Sequence, residues 1–132
     1  MSPRADLRPS PPRGPRWAWA AAALWIVALF TLSSWSPGGG ALDFAWRFPH
    51  DDKVVHAGLY AVLGALVRWA GGRSAPAVAA GAIVGVADEV LQSTVPGRHA
   101  DPFDVAADVV GATVGALLVT AFARRRRGRA IE

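Results

Sequence analysis

The hydrophobic positions of the chain fall into four long runs, separated by polar or glycine- and proline-rich segments. The first run, 17–35, carries no charge and is bracketed by tryptophans; the others cover roughly 53–69, 76–95 and 102–123. A helix of about 20 apolar residues crosses a bilayer, and indole rings favour the membrane interface. The pattern predicts an all-α polytopic membrane protein with four transmembrane helices.

The first run also invites comparison with a signal peptide, because Arg16 precedes it. It is longer than the apolar region of about 7–15 residues that signal peptides contain, and no convincing small-x-small cleavage site follows it. We therefore interpret the run as an uncleaved membrane anchor.

The remaining segments define the domain organisation. Residues 1–16 are basic and proline-rich, with too little apolar surface to fold, and we expect them to be disordered. Residues 17–123 form the four-helix domain, and 124–132 form a basic cytoplasmic tail. The first two helices are joined by a long loop that reaches about Asp52, and the other connections are short. In the turn before the third helix, Ser74 is predicted to be the N-cap.

Basic residues are concentrated on one side of the predicted bundle. If both tails and the 71–74 turn share a side, that side carries most of the arginines. The opposite side has few basic residues, namely Arg47, Lys53 and Arg98, and most of the acidic ones. The positive-inside rule therefore predicts that both termini are cytoplasmic.

Composition narrows the function classes. The chain is 52% hydrophobic and 18% charged, which favours a small membrane protein over a soluble domain. The absence of cysteine excludes disulfides, thiolate metal sites and cysteine nucleophiles. The net charge of +4 lies mainly at the chain ends, where it marks membrane orientation, so no nucleic-acid partner is expected.

Ionisable residues interrupt the apolar runs, and an ionised side chain at the centre of a membrane helix costs about 2.5–3.5 kcal/mol. Residues four apart share a helix face. The three resulting stripes are Asp52, His56, Tyr60 and Gly64; Gly81, Gly85, Glu89 and Gln92; and Asp104, Asp108, Gly111 and Gly115. Asp88 lies about 100° from its stripe. Two stripes contain a Gly-x-x-x-Gly step, which favours close helix packing.

The rise of about 1.5 Å per residue places the polar groups in one shallow layer at the outer end of the bundle. We expect a water-accessible pocket there that opens to the exterior. Its predicted residues are Lys53, His56, Tyr60, Glu89, Gln92, Arg98, Asp104 and Asp108.

Some of these polar residues also have simpler explanations. Asp101 precedes Pro102 and fits a helix N-cap, and Asp51 or Asp52 could cap the second helix. The arginines at 124–127 fit a topology anchor. Glu89 is too deep to be a cap and needs a nearby cation, so it is the strongest functional candidate.

The polar residues carry a resemblance to a known family. The sequence Asp52-Lys53-x-x-His56-x-x-x-Tyr60, then Glu89-x-x-Gln92, and finally the segment from Pro96 to Gly111 resemble the VanZ-like family. The resemblance covers about residues 50–115. It implies a multi-pass protein of the bacterial cell membrane with a link to teicoplanin resistance. In that family the position of Asp108 is often Asn, so this chain has an additional charge in the pocket.

The first functional hypothesis is ligand binding. The pocket would hold an anionic or amphiphilic molecule of the cell envelope, with Arg98 and Lys53 contacting its charge. Under the resemblance, the ligand would be a teicoplanin-type glycopeptide or a lipid-linked wall precursor. No cofactor is expected, and the sequence leaves the oligomeric state open.

Other hypotheses remain. An intramembrane enzyme would use Glu89 or His56 as general base, although no serine or cysteine nucleophile stands out. A metal site of His56, Glu89 and Asp108 has a weak signature, because it offers one imidazole, and no metal is expected. A proton or ion pathway is disfavoured by the apolar cytoplasmic halves of the helices. The polar groups could also only fix helix register.

Overall fold

The computed structural model describes residues 14–34 and 51–129, apart from the side chain of Asp51. Four helices make up these residues: α1 (Arg16–Ser33), α2 (Asp51–Gly71), α3 (Ser74–Gln92) and α4 (Pro102–Arg129). All four are long and apolar enough to cross a membrane, and the described part of the chain contains no strand. The predicted all-α, four-span membrane fold is confirmed.

Several sequence predictions concern segments that lie outside the described residues. These are the tail before Gly14, the long loop over 35–50 and the last residues, 130–132.

The bounds of α3 differ from the predicted ones. The N-cap position is Arg73, and the Ser74 hydroxyl lies 3.4 Å from Thr120 Oγ1, so the prediction that Ser74 is the N-cap is wrong. The helix ends at Gln92, because the Ser93 and Thr94 hydroxyls donate to carbonyls one turn back and compete with the helical pattern.

The fourth helix continues beyond its predicted end at about Ala123, through the arginine run to Arg129. Arginine is a strong helix former, and cations near a helix C-terminus interact favourably with its dipole. The helix therefore includes the arginines at 124–127 and ends at Arg129.

Glycines allow the helices of the core to approach closely. A methyl group added to Gly64 of α2 would overlap the backbone of Ala112, and one added to Gly115 of α4 would overlap the backbone of Ala61. The glycine stripe of α3 packs on α4 in the same way, since Gly81 faces Ala112. These glycines therefore serve packing within one chain.

The contacts define two ends of the bundle. At one end, the Gly14 N–H donates to the Ala70 carbonyl (3.1 Å), and the rings of Trp17 and Trp69 meet edge to face at 5.4 Å. Arg68 donates to Thr120 at this end (3.0 Å), so this half of the bundle is less apolar than predicted. The other end holds the polar residues.

Candidate functional site

The polar end is formed by the end of α1, the start of α2, the end of α3, the loop after it and the start of α4. All eight residues predicted for the pocket lie there: six of them form one group of contacts, and Gln92 and Arg98 belong to a second group. Those eight are Lys53, His56, Tyr60, Glu89, Gln92, Arg98, Asp104 and Asp108.

Lys53, in the first turn of α2, joins α2 to α4. Its ammonium group donates to Asp101 Oδ2 (2.7 Å), Asp104 Oδ1 (2.8 Å) and Asp52 Oδ2 (3.1 Å). An ammonium group has three N–H donors, so these carboxylates use all of them. All three N–H donors of the Lys53 ammonium group are therefore used by carboxylates of the protein itself.

Asp101 has two roles at the start of α4. Its Oδ1 accepts the Phe103 N–H (2.9 Å), which confirms the predicted N-cap. Its other carboxylate oxygen accepts from Lys53, and this hydrogen bond holds the pKa of Asp101 below its usual range. The cap and the ion pair together fix the entry of the chain into α4.

His56 is oriented by a buried carboxylate. Its Nδ1 lies 2.9 Å from Oδ1 of Asp108, which is fully buried. A carboxylate accepts hydrogen bonds, so Nδ1 carries a proton and donates it, and in the neutral ring Nε2 has a free lone pair. The ring also stacks on Tyr60, with centroids 6.3 Å apart and planes 10° apart.

Glu89 is only half satisfied. Its Oε2 accepts the backbone N–H of Asp101 (2.6 Å), whereas its Oε1 is buried without a hydrogen-bond partner in the described structure. Among the described residues, Glu89 forms no ion pair with Lys53 or Arg98, and the basic side chain beside it is His56, which has a ring nitrogen within 4.8 Å of a Glu89 carboxylate oxygen.

A second polar group connects α3 to the end of α1. The Gln92 amide donates to Asp88 Oδ2 (3.1 Å), and the Arg98 guanidinium donates to Gln92 Oε1 (2.9 Å) and to the Ser33 carbonyl (3.3 Å). Both acceptors of Arg98 are neutral. Within residues 14–34 and 51–129, Arg98 forms no ion pair with a carboxylate.

A cleft of about 180 Å³ opens beside this second group. Four of its lining side chains are aliphatic: Leu29, Leu32, Val55 and Leu59. The polar ones are Ser33, His56, Tyr60, Asp88 and Arg98. The Tyr60 hydroxyl and Asp88 Oδ1 are buried and have no hydrogen-bond partner in the part of the chain described. The cleft therefore has apolar walls and a polar end.

Three residues of this region were not among those predicted for the pocket: Ser33, Asp88 and Asp101, of which Asp101 was predicted only as a helix cap. The four-residue spacing of Asp88 and Gln92 predicts that the two side chains share a helix face, and they are hydrogen-bonded in the structure. The contact of Asp101 with Lys53 depends on how the loop folds back, and that of Ser33 depends on how α1 docks. Neither has a signal in the local sequence.

The VanZ/LLP1 family model matches residues 17–123, which include α2, α3, nearly all of α1, most of α4 and the whole polar end. No curated protein and no solved structure matches the chain. The match covers most of the chain and includes the motifs that carry the polar layer, so the protein is a multi-pass membrane protein that belongs to the VanZ/LLP1 family.

Proposed function

We propose that the cleft binds an amphiphilic molecule of the bacterial cell envelope with an anionic headgroup. The family resemblance gives two ligands to test, a lipid-linked wall precursor and a teicoplanin-type glycopeptide, and it connects the proposal to glycopeptide resistance. With both termini in the cytoplasm, the binding site faces outward, where such ligands are found.

The proposal rests on the hydrogen-bond partners of the Arg98 guanidinium group. Its guanidinium group lines the cleft and contacts only neutral acceptors among the described residues. A guanidinium has five N–H donors and binds phosphate or carboxylate in a two-pronged geometry. Arg98 therefore has both the charge and the spare donors that an anionic headgroup requires.

The walls of the cleft support the amphiphilic character of the ligand. The aliphatic side chains Leu29, Leu32 and Leu59 suit an acyl or polyprenyl chain, and the polar groups lie beside Arg98. The Tyr60 hydroxyl is a buried donor without a partner in the described structure, so a headgroup oxygen would satisfy it.

We propose a different role for Lys53 from the one predicted from the sequence. From the sequence, Lys53 was predicted to contact the charge of the ligand together with Arg98. Its three donors are already used by Asp52, Asp101 and Asp104. We therefore propose that Arg98 recognises the anion and that Lys53 holds α2 and α4 together.

The test is a binding titration of the purified protein in nanodiscs with a lipid-linked wall precursor, a teicoplanin-type glycopeptide and phosphatidylglycerol. Arg98→Ala should weaken binding of the true ligand about 10-fold or more, because it removes a charge-assisted contact. The matched control is Arg73→Ala, an exposed arginine at the opposite end. Equal affinity of Arg98→Ala and wild type, or equal loss in Arg73→Ala, would overturn the proposal.

A further inference from the structure

We propose that His56, Glu89 and Asp104 bind a divalent transition-metal ion, Mn²⁺ or Zn²⁺. The site is separate from the proposed recognition of an anion by Arg98 and does not depend on it.

The geometry supplies the first observation. Each of the three residues offers one ligand atom, and these atoms lie within 4.8 Å of one another, although the residues come from α2, α3 and α4. Ligand atoms that are about 2.0–2.2 Å from one ion can be at most about 4.4 Å apart. Only a small inward movement of the side chains is needed.

The unsatisfied carboxylate of Glu89 supplies an independent observation. Glu89 is 5% exposed, and its Oε1 is buried with no hydrogen-bond partner in the described residues. A buried ionised carboxylate without a partner is costly. Lys53 does not relieve this cost, because its described partners are Asp52, Asp101 and Asp104. A cation between Glu89 and His56 would.

The orientation of His56 fits a metal ligand. Histidines that bind metals usually donate their second ring N–H to a carboxylate or a carbonyl, which fixes the tautomer. Here Nδ1 donates to Asp108 (2.9 Å), so Nε2 is the nitrogen available to an ion. Asp108 would thus be a positioning residue for the ligand.

The neighbouring group of Asp52, Asp101 and Asp104 provides a contrast. Its ligand atoms also lie within 4.8 Å of one another, but it lacks an imidazole, and all three of its carboxylates accept from Lys53, whereas in the proposed site only Asp104 does. We assign no ion to it. One imidazole nitrogen with two carboxylate oxygens suits Mn²⁺ or Zn²⁺, whereas Mg²⁺ prefers oxygen ligands alone.

The experiment uses the purified full chain after treatment with a chelator. Mn²⁺ is titrated while its free signal is followed by electron paramagnetic resonance, and Zn²⁺ is titrated by calorimetry. Wild type should bind one equivalent. Glu89→Gln and His56→Gln should each bind about 10-fold more weakly or worse. Asp88→Asn is the matched control, because it neutralises an equally buried carboxylate on the adjacent position of α3.

A second comparison tests the positioning role. Asp108→Ala should weaken metal binding about 10- to 100-fold, whereas Asp108→Asn should stay close to wild type, because the amide oxygen still accepts the Nδ1 hydrogen. Arg98→Ala should bind the metal like wild type, which separates this proposal from the anion site.

The proposal is overturned if wild type binds neither ion, if Glu89→Gln binds like wild type, or if Asp88→Asn loses as much affinity. If a variant of a metal-binding residue does not fold, the melting temperature of the wild-type protein with and without metal tests the proposal instead. Zn²⁺ or Mn²⁺ should raise its melting temperature. No shift with either ion would also overturn the proposal.

Discussion

Gly85 of α3 makes room for the carboxylate of Asp108 on α4: a methyl group at position 85 would lie 2.6 Å from Asp108 Oδ2. The glycine stripe of α3 thus does more than bring two helices together. It creates the space in which a fully buried acid orients His56.

Gly85→Ala should therefore destabilise the protein by about 1–3 kcal/mol, because overpacking forces Asp108 or the helix to move. Gly58→Ala is the control, since a methyl group there meets nothing within 4 Å. It should be neutral or stabilising, because alanine is the better helix former. Denaturant unfolding in detergent measures both variants, and equal stabilities would contradict the expected effect.

Lys53→Met should lower the melting temperature more than Asp52→Asn does. The methionine keeps the length of the side chain but leaves Asp104, whose side chain is 9% exposed, without its cation. Asp52 is 58% exposed at its side chain, so water screens the loss of its pair with Lys53. Differential scanning fluorimetry compares the two. A Lys53→Met variant as stable as Asp52→Asn would show that the lysine does not hold α2 to α4.

Trp25→Phe should cost about 0.5–1.5 kcal/mol through the loss of one hydrogen bond. The Trp25 indole N–H donates to the Leu59 carbonyl (2.9 Å) and links α1 to α2. Trp19→Phe is the control, because Trp19 is half exposed and no hydrogen bond of its indole is seen among the described residues. Unfolding curves measure the stability of both variants. Equal stabilities of Trp25→Phe and Trp19→Phe would show that the hydrogen bond from Trp25 to Leu59 does not stabilise the protein.

The predicted orientation can be tested with single cysteines, because the chain has none of its own. His99→Cys lies in the exposed loop between α3 and α4, and Gly128→Cys lies near the end of α4. In intact cells, a membrane-impermeant maleimide should label position 99, whereas position 128 should react only after permeabilisation. The reverse pattern would place both termini outside.

The sequence was most informative about the faces of single helices. The four-residue spacing of Asp104 and Asp108 predicted that both point to the same side, and both are buried. Hydropathy located all four helices, since a span must be long and apolar whatever its neighbours are.

Contacts between helices were much less predictable. From the sequence, His56, Glu89 and Asp108 formed a weak signature for a metal site, whereas the structure brings Asp104 close to Glu89 and places Asp108 at the Nδ1 side of the imidazole. Asp104 and Asp108 lie one turn apart on the same face of α4, so this difference depends on the position of α4 along its axis relative to α2 and α3, which spacing within one helix does not specify. Arg98 is similar, because its partners are set by the loop after α3.

The docking of α1 has a consequence for how a ligand would arrive. This helix contacts α2 and α3 but not α4, and Ser33 is its hydrogen-bonding contribution to the polar end among the described residues. If α1 moves outward, the cleft widens while the bonds of Lys53 and His56 to α4 stay in place. A molecule dissolved in the bilayer could then enter sideways, with its hydrocarbon chain never leaving the lipid phase.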